Sequence, residues 1–292
     1  MTTAKEQAYA KINLFLDVIG KRSDGFHEIR SVMHAVSLAD TLTVTVSPAS
    51  RSTVSLVTEG TPYVPTDGSN LVCRAANAFL CRLGTAAQVR IAFEKRIPVG
   101  AGLAGGSSDA AATLRVLNRL FSRPFSLGAL LSIAEEIGSD VPFCLLGKSA
   151  LCEGRGEKLT PLVLPPMHFV IAASCEYVST PAAYASLDRL YSDFDGSVPG
   201  GGAAAYRAFS AAAEEGRTVA GGLYNIFESA VLPGIPKAAE VKKRLSRLGA
   251  EGTLMSGSGS AVFGIFPDET SAALAASALR AEGYRADAVR SV

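Results

Sequence analysis

The chain is poor in the residues that build metal centres and covalent frameworks. Its three histidines, His27, His34 and His168, are too scattered for a local metal cluster. Its five cysteines, Cys73, Cys81, Cys144, Cys152 and Cys175, are odd in number and lack C-x-x-C spacing, so neither a disulfide framework nor a zinc site is indicated. They are expected to be reduced, mostly buried thiols, and no metal site made by the protein alone is expected. No stretch approaches the ~20 consecutive apolar residues of a membrane span, and charges interrupt the apolar residues of the N-terminus. The chain is therefore expected in the cytoplasm, without a membrane partner. An excess of one charge is also missing, because 28 Lys and Arg stand against 27 Asp and Glu. Nothing pulls it towards nucleic acid in general, so an anionic ligand has to be held by local geometry. What is present is 292 residues with 48% hydrophobic content, enough for a sizeable core and two domains.

One glycine-rich stretch leads into a run of helix formers. In PVGAGLAGGSSDAAA (Pro98 to Ala112), Gly100, Gly102, Gly105 and Gly106 precede Ser107, Ser108, Asp109 and a run of small helix formers. This reads as a loop that becomes a helix. Glycine lets backbone N–H groups turn inward and approach an anion, and a helix start adds unpaired N–H groups and a favourable dipole. The pattern fits a phosphate cradle, and equally a tight turn joining a strand to a helix. Gly100, Gly102 and Gly105 match G-x-G-x-x-G after the strand-like VRIAFEK (Val89 to Lys95), but no second strand ending in an acid follows about 20 residues on, as a dinucleotide fold requires. A Walker A loop is excluded because Ser107 follows Gly106 where lysine is needed. A protein kinase is excluded because HRD and DFG are absent.

Around this loop the pattern is mixed α and β. Tyr9 to Val18 alternates Ile12, Leu14, Leu16 and Val18 against Lys11, Asn13, Phe15 and Asp17, the period of a half-buried strand with Lys11 and Asn13 on one face. Leu42 to Val46 and Thr53 to Val57 suggest two strands of a meander flanking the first. Asn70 is placed to cap a helix through Leu83, and Ser107 and Ser108 to cap the helix after the glycine loop. Leu114, Leu117 and Phe121 form that helix's core face, and Asp109 suits its first turn through the dipole alone. A helix from Ser126 to Ile137 stops at Gly138. Asp140 follows, beside an apolar VPFCLL run where a buried carboxylate would demand a cation.

Beyond residue 160, LPPMHFVIAAS carries a buried strand, and Thr180 as cap with Pro181 as first-turn proline opens a helix through Leu190. Asp193 to Tyr206 reads as a glycine-rich surface loop. Helices follow near Asn225 to Leu232 and Lys237 to Leu248, the latter with Lys242, Lys243, Arg244 and Arg247 on a solvated face. A strand at Thr253 to Met255, the turn SGSGS, a strand at Ala261 to Phe266, a helix at Ser271 to Glu282 and a last strand complete a ferredoxin-like order.

Four stretches resemble one family. The loop IPVGAGLAGGSSDAAA, with AYAKINLFLDVIGKRSDGFHEIRSV (Ala8 to Val32), IGSDVPFCLLGKSALCEGRGE (Ile137 to Glu157) and LMSGSGSAVFGIF (Leu254 to Phe266), is similar to the motifs of the GHMP kinases, in their order and over nearly the whole chain. The resemblance is strongest to the branch acting on 4-diphosphocytidyl-2-C-methyl-D-erythritol. It implies an α+β, two-domain fold: an N-terminal ribosomal S5 domain 2-like ATP-binding half (1–160), a C-terminal ferredoxin-like substrate half (161–292), and an active site in a cleft between them. It implies phosphoryl transfer from ATP, with Mg2+, to the 2-hydroxyl of a small cytidine diphosphate derivative, by a monomer or homodimer.

Residue by residue, the resemblance makes Lys11 and Asp140 the catalytic couple. Pro98, Gly100, Gly102, Leu103, Ala104, Gly105, Gly106, Ser107 and Ser108 would surround the phosphates, with Mg2+ near Ser107 or Ser108. Asn70 and Arg96 would lie by the nucleotide, and Gly257 and Ser258 would face the phosphate loop. Asn13, Phe26, His27, Thr180 and Tyr184 would bind the substrate, with Phe26 standing where tyrosine is common and so lacking a hydroxyl. Several of these residues carry a plainer reading too: capping for Asn70 and the serines, a solvated strand end for Arg96, core burial for Tyr184, an ordinary hairpin turn for Gly257. A mevalonate- or homoserine-type kinase shares the loop but is not expected to carry DGFHE and the Thr180 to Tyr184 arrangement. A non-catalytic sensor on the same fold would more readily lack Lys11 or Asp140.

Overall fold

The computed structural model describes residues 1–58, 64–174, 176–191 and 202–292. Cys175 and most of the glycine-rich stretch before Gly202 lie outside the described residues. The chain forms two compact units. One comprises Met1–Ala10, Leu38–Val99 and Ala104–Gly147; the other comprises Lys11–Ser37, Gly100–Leu103 and Lys148–Val292. Residues 11–37 and 148–160 thus pack with the C-terminal part of the chain, a division by packing that differs from a single cut at residue 160.

In the first unit, β1 (Thr2–Lys21) and β2 (His27–Pro48) contribute only part of their length, because both strands run on into the second unit. With β3 (Thr53–Thr58), α1 (Leu71–Leu83) and β4 (Ala87–Glu94) they build a sheet in which β4 pairs antiparallel with β2 and parallel with β3. The expected meander is therefore not formed: β4 lies between β2 and β3, and α1 supplies the crossover that a parallel pair needs. AQVRIAFE alternates buried and exposed along β4, as a strand with one wet face should. α2 (Gly105–Leu120), α3 (Leu127–Ile137) and α4 (Val141–Leu146) complete the unit. α2 is buried from Ser108 to Leu114, and its run of alanines lets it pack closely against α1 and α4. Leu114 and Leu117 are core as expected, while Phe121 sits half-buried against Phe79.

In the second unit, β5 (Ser149–Gly154) pairs with β2 and with β6 (Lys158–Leu162). β7 (His168–Ala173), α5 (Thr180–Leu190), α6 (Gly202–Glu214), the short β8 (Tyr224–Asn225), α7 (Phe227–Val231), α8 (Pro236–Arg247), β9 (Gly252–Met255), β10 (Val262–Phe266), α9 (Glu269–Ala281) and β11 (Arg285–Arg290) follow. The four strands β7, β9, β10 and β11 form an antiparallel sheet in the order β11-β7-β10-β9, the ferredoxin-like arrangement expected. One apolar cluster fills this unit, from Val170 and Val262 on the sheet to Leu245 and Leu279 on α8 and α9.

Three further readings change. Gly202 to Tyr206, expected in a loop, is the start of α6, where helix-forming alanines outweigh the glycine signal. β1 is not half-buried: Lys11, Asn13, Phe15 and Asp17 are as covered as Ile12, Leu14 and Leu16. The face expected to be solvated on α8 is partly engaged, since Lys242 pairs with Glu228 and Arg244 with Glu282. Cys73, Cys144 and Cys152 are buried thiols and Cys81 an exposed one.

Candidate active site

In the second unit Lys11 is buried and placed by its neighbours on every side that can hydrogen-bond. Its Nζ donates to Asn13 Oδ1 (2.6 Å) and to the Gly102 carbonyl (3.1 Å), and its backbone N–H donates to the Leu103 carbonyl. Asn13 is fixed in turn, donating through Nδ2 to Ser31 Oγ at 2.8 Å. The short segment Gly100–Leu103 lies against the turn between β9 and β10. Ala261 N–H donates to the Ala101 carbonyl, and Ser256 Oγ donates to the Gly102 carbonyl at 3.0 Å.

This close approach explains Gly102. A Cβ there would stand 2.1 Å from the Ser256 carbonyl oxygen, and its φ of +78° already disfavours other residues. Gly257 is similarly confined: its missing Cβ would sit 3.4 Å from both Lys11 Nζ and Asn13 Oδ1. Thus Lys11, Asn13, Gly102, Leu103 and Gly257 come together around one ammonium group. Ser258 is reached by Thr180, their hydroxyls 3.1 Å apart.

A second group in the same unit is aromatic. His27 stacks on Tyr184 with ring centroids 4.6 Å apart and 24° between planes, and Tyr184 meets Phe227 edge-on. His27 Nε2 lies 2.7 Å from Asp188 Oδ1, and Lys21 holds the other carboxylate oxygen at 2.9 Å. Burial pushes the Asp188 carboxyl up, but these two hydrogen bonds outweigh it and hold it below the usual range. Asp188 is therefore an acceptor, and His27 Nε2 is the donor of the pair. Phe26 is exposed, with the Arg155 guanidinium 5.0 Å above its ring. Tyr184 is thus half-buried, packed against the core and in a stack with His27. Thr180 is the first residue of α5 and not its cap: Ser179 Oγ accepts from Ala182 N–H, one residue earlier than expected.

In the first unit the glycine loop enters α2. The residue before the helix is Ala104, in the left-handed region at φ 54°, and no side chain caps the helix. The first helical hydrogen bond is Ser108 N–H to the Ala104 carbonyl, so the N–H groups of Gly105, Gly106 and Ser107 have no carbonyl four residues back to receive them. Ser108 departs from expectation as both cap and ligand: its side chain turns inward, fully buried, and its hydroxyl donates to the Tyr9 carbonyl at 2.5 Å. Ser107 and Gly106 keep exposure to solvent, and Pro98 is half-buried. Asn70 caps α1, accepting from Val72 N–H at 2.9 Å, which leaves its Nδ2 to donate to the Pro65 carbonyl. Arg96 has an exposed side chain, and its N–H donates to Asp40. Asp140 is half-buried at the start of α4, with Pro142 in that helix's first turn.

A charged cluster beneath α2 has no counterpart in the sequence reading. Lys95 Nζ binds Asp109 Oδ2 at 2.6 Å and also Asp40 Oδ2, all three groups being nearly inaccessible. Asp40 Oδ1 accepts from the N–H groups of Arg96 and Ile97. Asp109 Oδ1 is buried without a hydrogen-bond partner. Burial pushes the Asp109 carboxyl up to about 7, against the pull of Lys95 and with a further push from Asp40. The role assigned to Asp109 from the helix dipole alone is therefore too small. An acid set inside an otherwise alanine-rich buried helix, with a lysine at the end of the preceding strand, is the signal that marks it.

This combination of a glycine loop opening an uncapped helix, a buried strand lysine and a ferredoxin-like second sheet defines a small-molecule kinase of the GHMP class. Comparison agrees: the GHMP kinases N terminal domain matches residues 70–148, and the GHMP kinases C terminal domain matches residues 205–285. The chain is 43% identical over 283 residues to the 4-diphosphocytidyl-2-C-methyl-D-erythritol kinase of Caldicellulosiruptor saccharolyticus, covering 94% of this chain and 92% of the relative. It is 41% identical over 284 residues to the kinase of the same name from Gloeobacter violaceus, covering 97% and 92%. A crystal structure of 4-(cytidine 5'-diphospho)-2C-methyl-D-erythritol kinase superposes with a TM-score of 0.81 at 38% identity, over 99% of this chain and 100% of that one. Homoserine kinase from Cytophaga hutchinsonii, at 20% identity and a TM-score of 0.74 over 99% of this chain and 94% of that one, shares the fold. The chain belongs to the 4-diphosphocytidyl-2-C-methyl-D-erythritol kinase family of GHMP kinases.

Proposed function

We propose that the chain transfers the γ-phosphoryl group of ATP to the 2-hydroxyl of 4-diphosphocytidyl-2-C-methyl-D-erythritol, a step of non-mevalonate isoprenoid precursor synthesis in the cytoplasm. The observation that carries this reading is similarity to kinases of that name over nine-tenths of both chains. Phosphoryl transfer depends chiefly on in-line positioning and charge stabilisation, and each requirement has a residue. The open N–H groups of Gly105, Gly106 and Ser107 hold phosphate oxygens, aided by the helix dipole. Lys11, its ammonium pinned beside Gly102, stabilises charge developing on the transferred group. Asp140 orients the hydroxyl and accepts its proton. Asn13 positions both Lys11 and the alcohol; Phe26, His27 and Tyr184 take the cytosine; Thr180 and Ser258 shape the pocket; Asn70 and Arg96 flank the nucleotide. The family boundary is placed at residue 160, and the protein acts as a monomer or homodimer.

Mg2+ brought by ATP supplies charge neutralisation on the phosphates. The protein oxygen that fits it is the Ser107 hydroxyl at the start of α2, since the Ser108 hydroxyl is committed to Tyr9. Among the described residues no cluster of His, Cys, Asp and Glu is arranged to hold a metal by itself. No helix among them is long and apolar enough to cross a membrane.

The test is ADP release from ATP and Mg2+ with the cytidyl alcohol, mevalonate or homoserine as acceptor. Turnover with the cytidyl alcohol alone is expected. Turnover with mevalonate or homoserine in its place would move the chain to another GHMP branch.

A further inference from the structure

We propose that Lys95, clamped between Asp40 and Asp109, is a positioning residue that sets the phosphate-binding turn. The inference rests on the reading that the start of α2 receives ATP phosphates. Three elements meet at the Lys95 ammonium: β2 through Asp40, the exit of β4 through Lys95 itself, and the first turns of α2 through Asp109. Asp40 also takes the N–H groups of Arg96 and Ile97, fixing the backbone just before the glycine loop. At the loop's other end, the missing Cβ of Gly105 would lie 3.0 Å from Ile97 Cγ2 and 3.4 Å from Lys95 Nζ. Through Asp40, which holds the Ile97 N–H, and Asp109 in the first turns of α2, one ammonium group ties together the two ends of the loop, where Ile97 and Gly105 pack closely.

The cluster is too buried to touch a nucleotide, because Lys95, Asp40 and Asp109 expose almost no side-chain surface. Its effect has to pass through the backbone. Two carboxyl groups converge on one lysine beneath the start of α2, the end of the helix that must also accept phosphate. Lys95 fixes where they sit. Loss of Lys95 would unfasten Asp109 from Asp40 and free the first turns of α2 to shift, which opposes phosphate binding. An ordinary core ion pair would instead affect every property of the fold alike.

The test compares Lys95→Met, Lys95→Arg and Asp109→Asn with the unaltered chain, measuring affinity for ADP with Mg2+ and for adenosine by calorimetry, and KM for ATP and for the cytidyl alcohol. Lys95→Met is expected to weaken ADP binding and raise KM for ATP by about tenfold or more, while adenosine affinity, KM for the alcohol and kcat change by less than about threefold. Lys95→Arg should recover most of the loss, because a cation bridging the two carboxylates is restored. Asp109→Asn, which keeps the side chain's shape, should shift KM for ATP by about threefold or more and keeps the test decisive if Lys95→Met does not fold. Unchanged ADP affinity in folded variants, or parallel losses for ADP, adenosine and alcohol, overturns the proposal. A chain that binds ADP but does not phosphorylate the cytidyl alcohol overturns the proposed function instead, and the nucleotide comparison still decides this inference.

Discussion

The helix starts of this protein are of two kinds. α1, α3, α5 and α9 are each closed by a side-chain oxygen, from Asn70, Ser126, Ser179 and Asp268, that accepts a first-turn N–H. α7 and α8 have first N–H groups met from outside the cap position, by Asn225 and Glu176, while α4 and α2 start on Asp140 and Ala104 with no capping side chain, although two serines stand in the first turn of α2. An exposed cap exchanges one water contact for one protein contact and adds about 1 kcal/mol of stability. Leaving α2 open forgoes that gain and keeps three N–H groups directed at whatever anion arrives. On the proposed function the start of α2 is left open for a phosphate, where the capped starts serve the fold.

The comparison can be broken at several points. The largest effect is expected at Asp140→Asn, which removes the carboxylate proposed to accept the proton but leaves the α2 start intact: kcat should fall by about 10²- to 10⁴-fold with ADP affinity unchanged in calorimetry. Gly102→Ala should come next. It places a methyl group against a backbone carbonyl at positive φ, and is expected to cost about 3 kcal/mol or more in urea unfolding. The caps give a smaller and more discriminating contrast. Ser126→Ala should lose about 1 kcal/mol of stability with KM for ATP unchanged. Ala104→Gly should gain about 0.5–1 kcal/mol by relieving a left-handed alanine.

The smallest effect is on pH dependence. A carboxyl whose folded pKa is raised keeps its proton in the native state after the unfolded chain has lost it, so stability falls as pH rises between the two values. Asp109, raised by burial to about 7, should therefore contribute a decline from about pH 4 to 7. Asp17, raised by burial to about 6, adds a similar decline over a narrower window. His34, lowered by burial to about 4, acts in the opposite sense: its contribution is lost as pH falls from about 6.5 to 4. Between pH 6.5 and 7 only Asp109 of these three remains. Urea unfolding should show a downward slope there that Asp109→Asn removes.

Much of this was legible in the residues themselves. Capping by Asn70 and Ser126, the loop-to-helix transition at Gly105 and the ferredoxin-like strand order follow from local chemistry, which short segments carry on their own. Lys11 is legible only by resemblance, because a lysine alternating with apolar residues reads as solvated, whereas β1 is covered on both faces. Thr180 was misread as a cap because Ser179, with equal propensity, stands beside it. The inward turn of Ser108 depends on Tyr9, and the Asp40–Lys95–Asp109 cluster joins positions up to 69 residues apart in the chain. Contacts of that kind are set by tertiary packing, and no local window contains them.

The most direct measurement is the backbone amide spectrum of 15N-labelled protein titrated with ADP and Mg2+, with adenosine as the control. If the open start of α2 is the phosphate site, the amides of Gly105, Gly106 and Ser107 will shift with ADP and not with adenosine, while those of the capped Ala129 and Ser271 stay in place. Saturation with ADP that leaves Gly105, Gly106 and Ser107 unmoved would contradict the account at its centre.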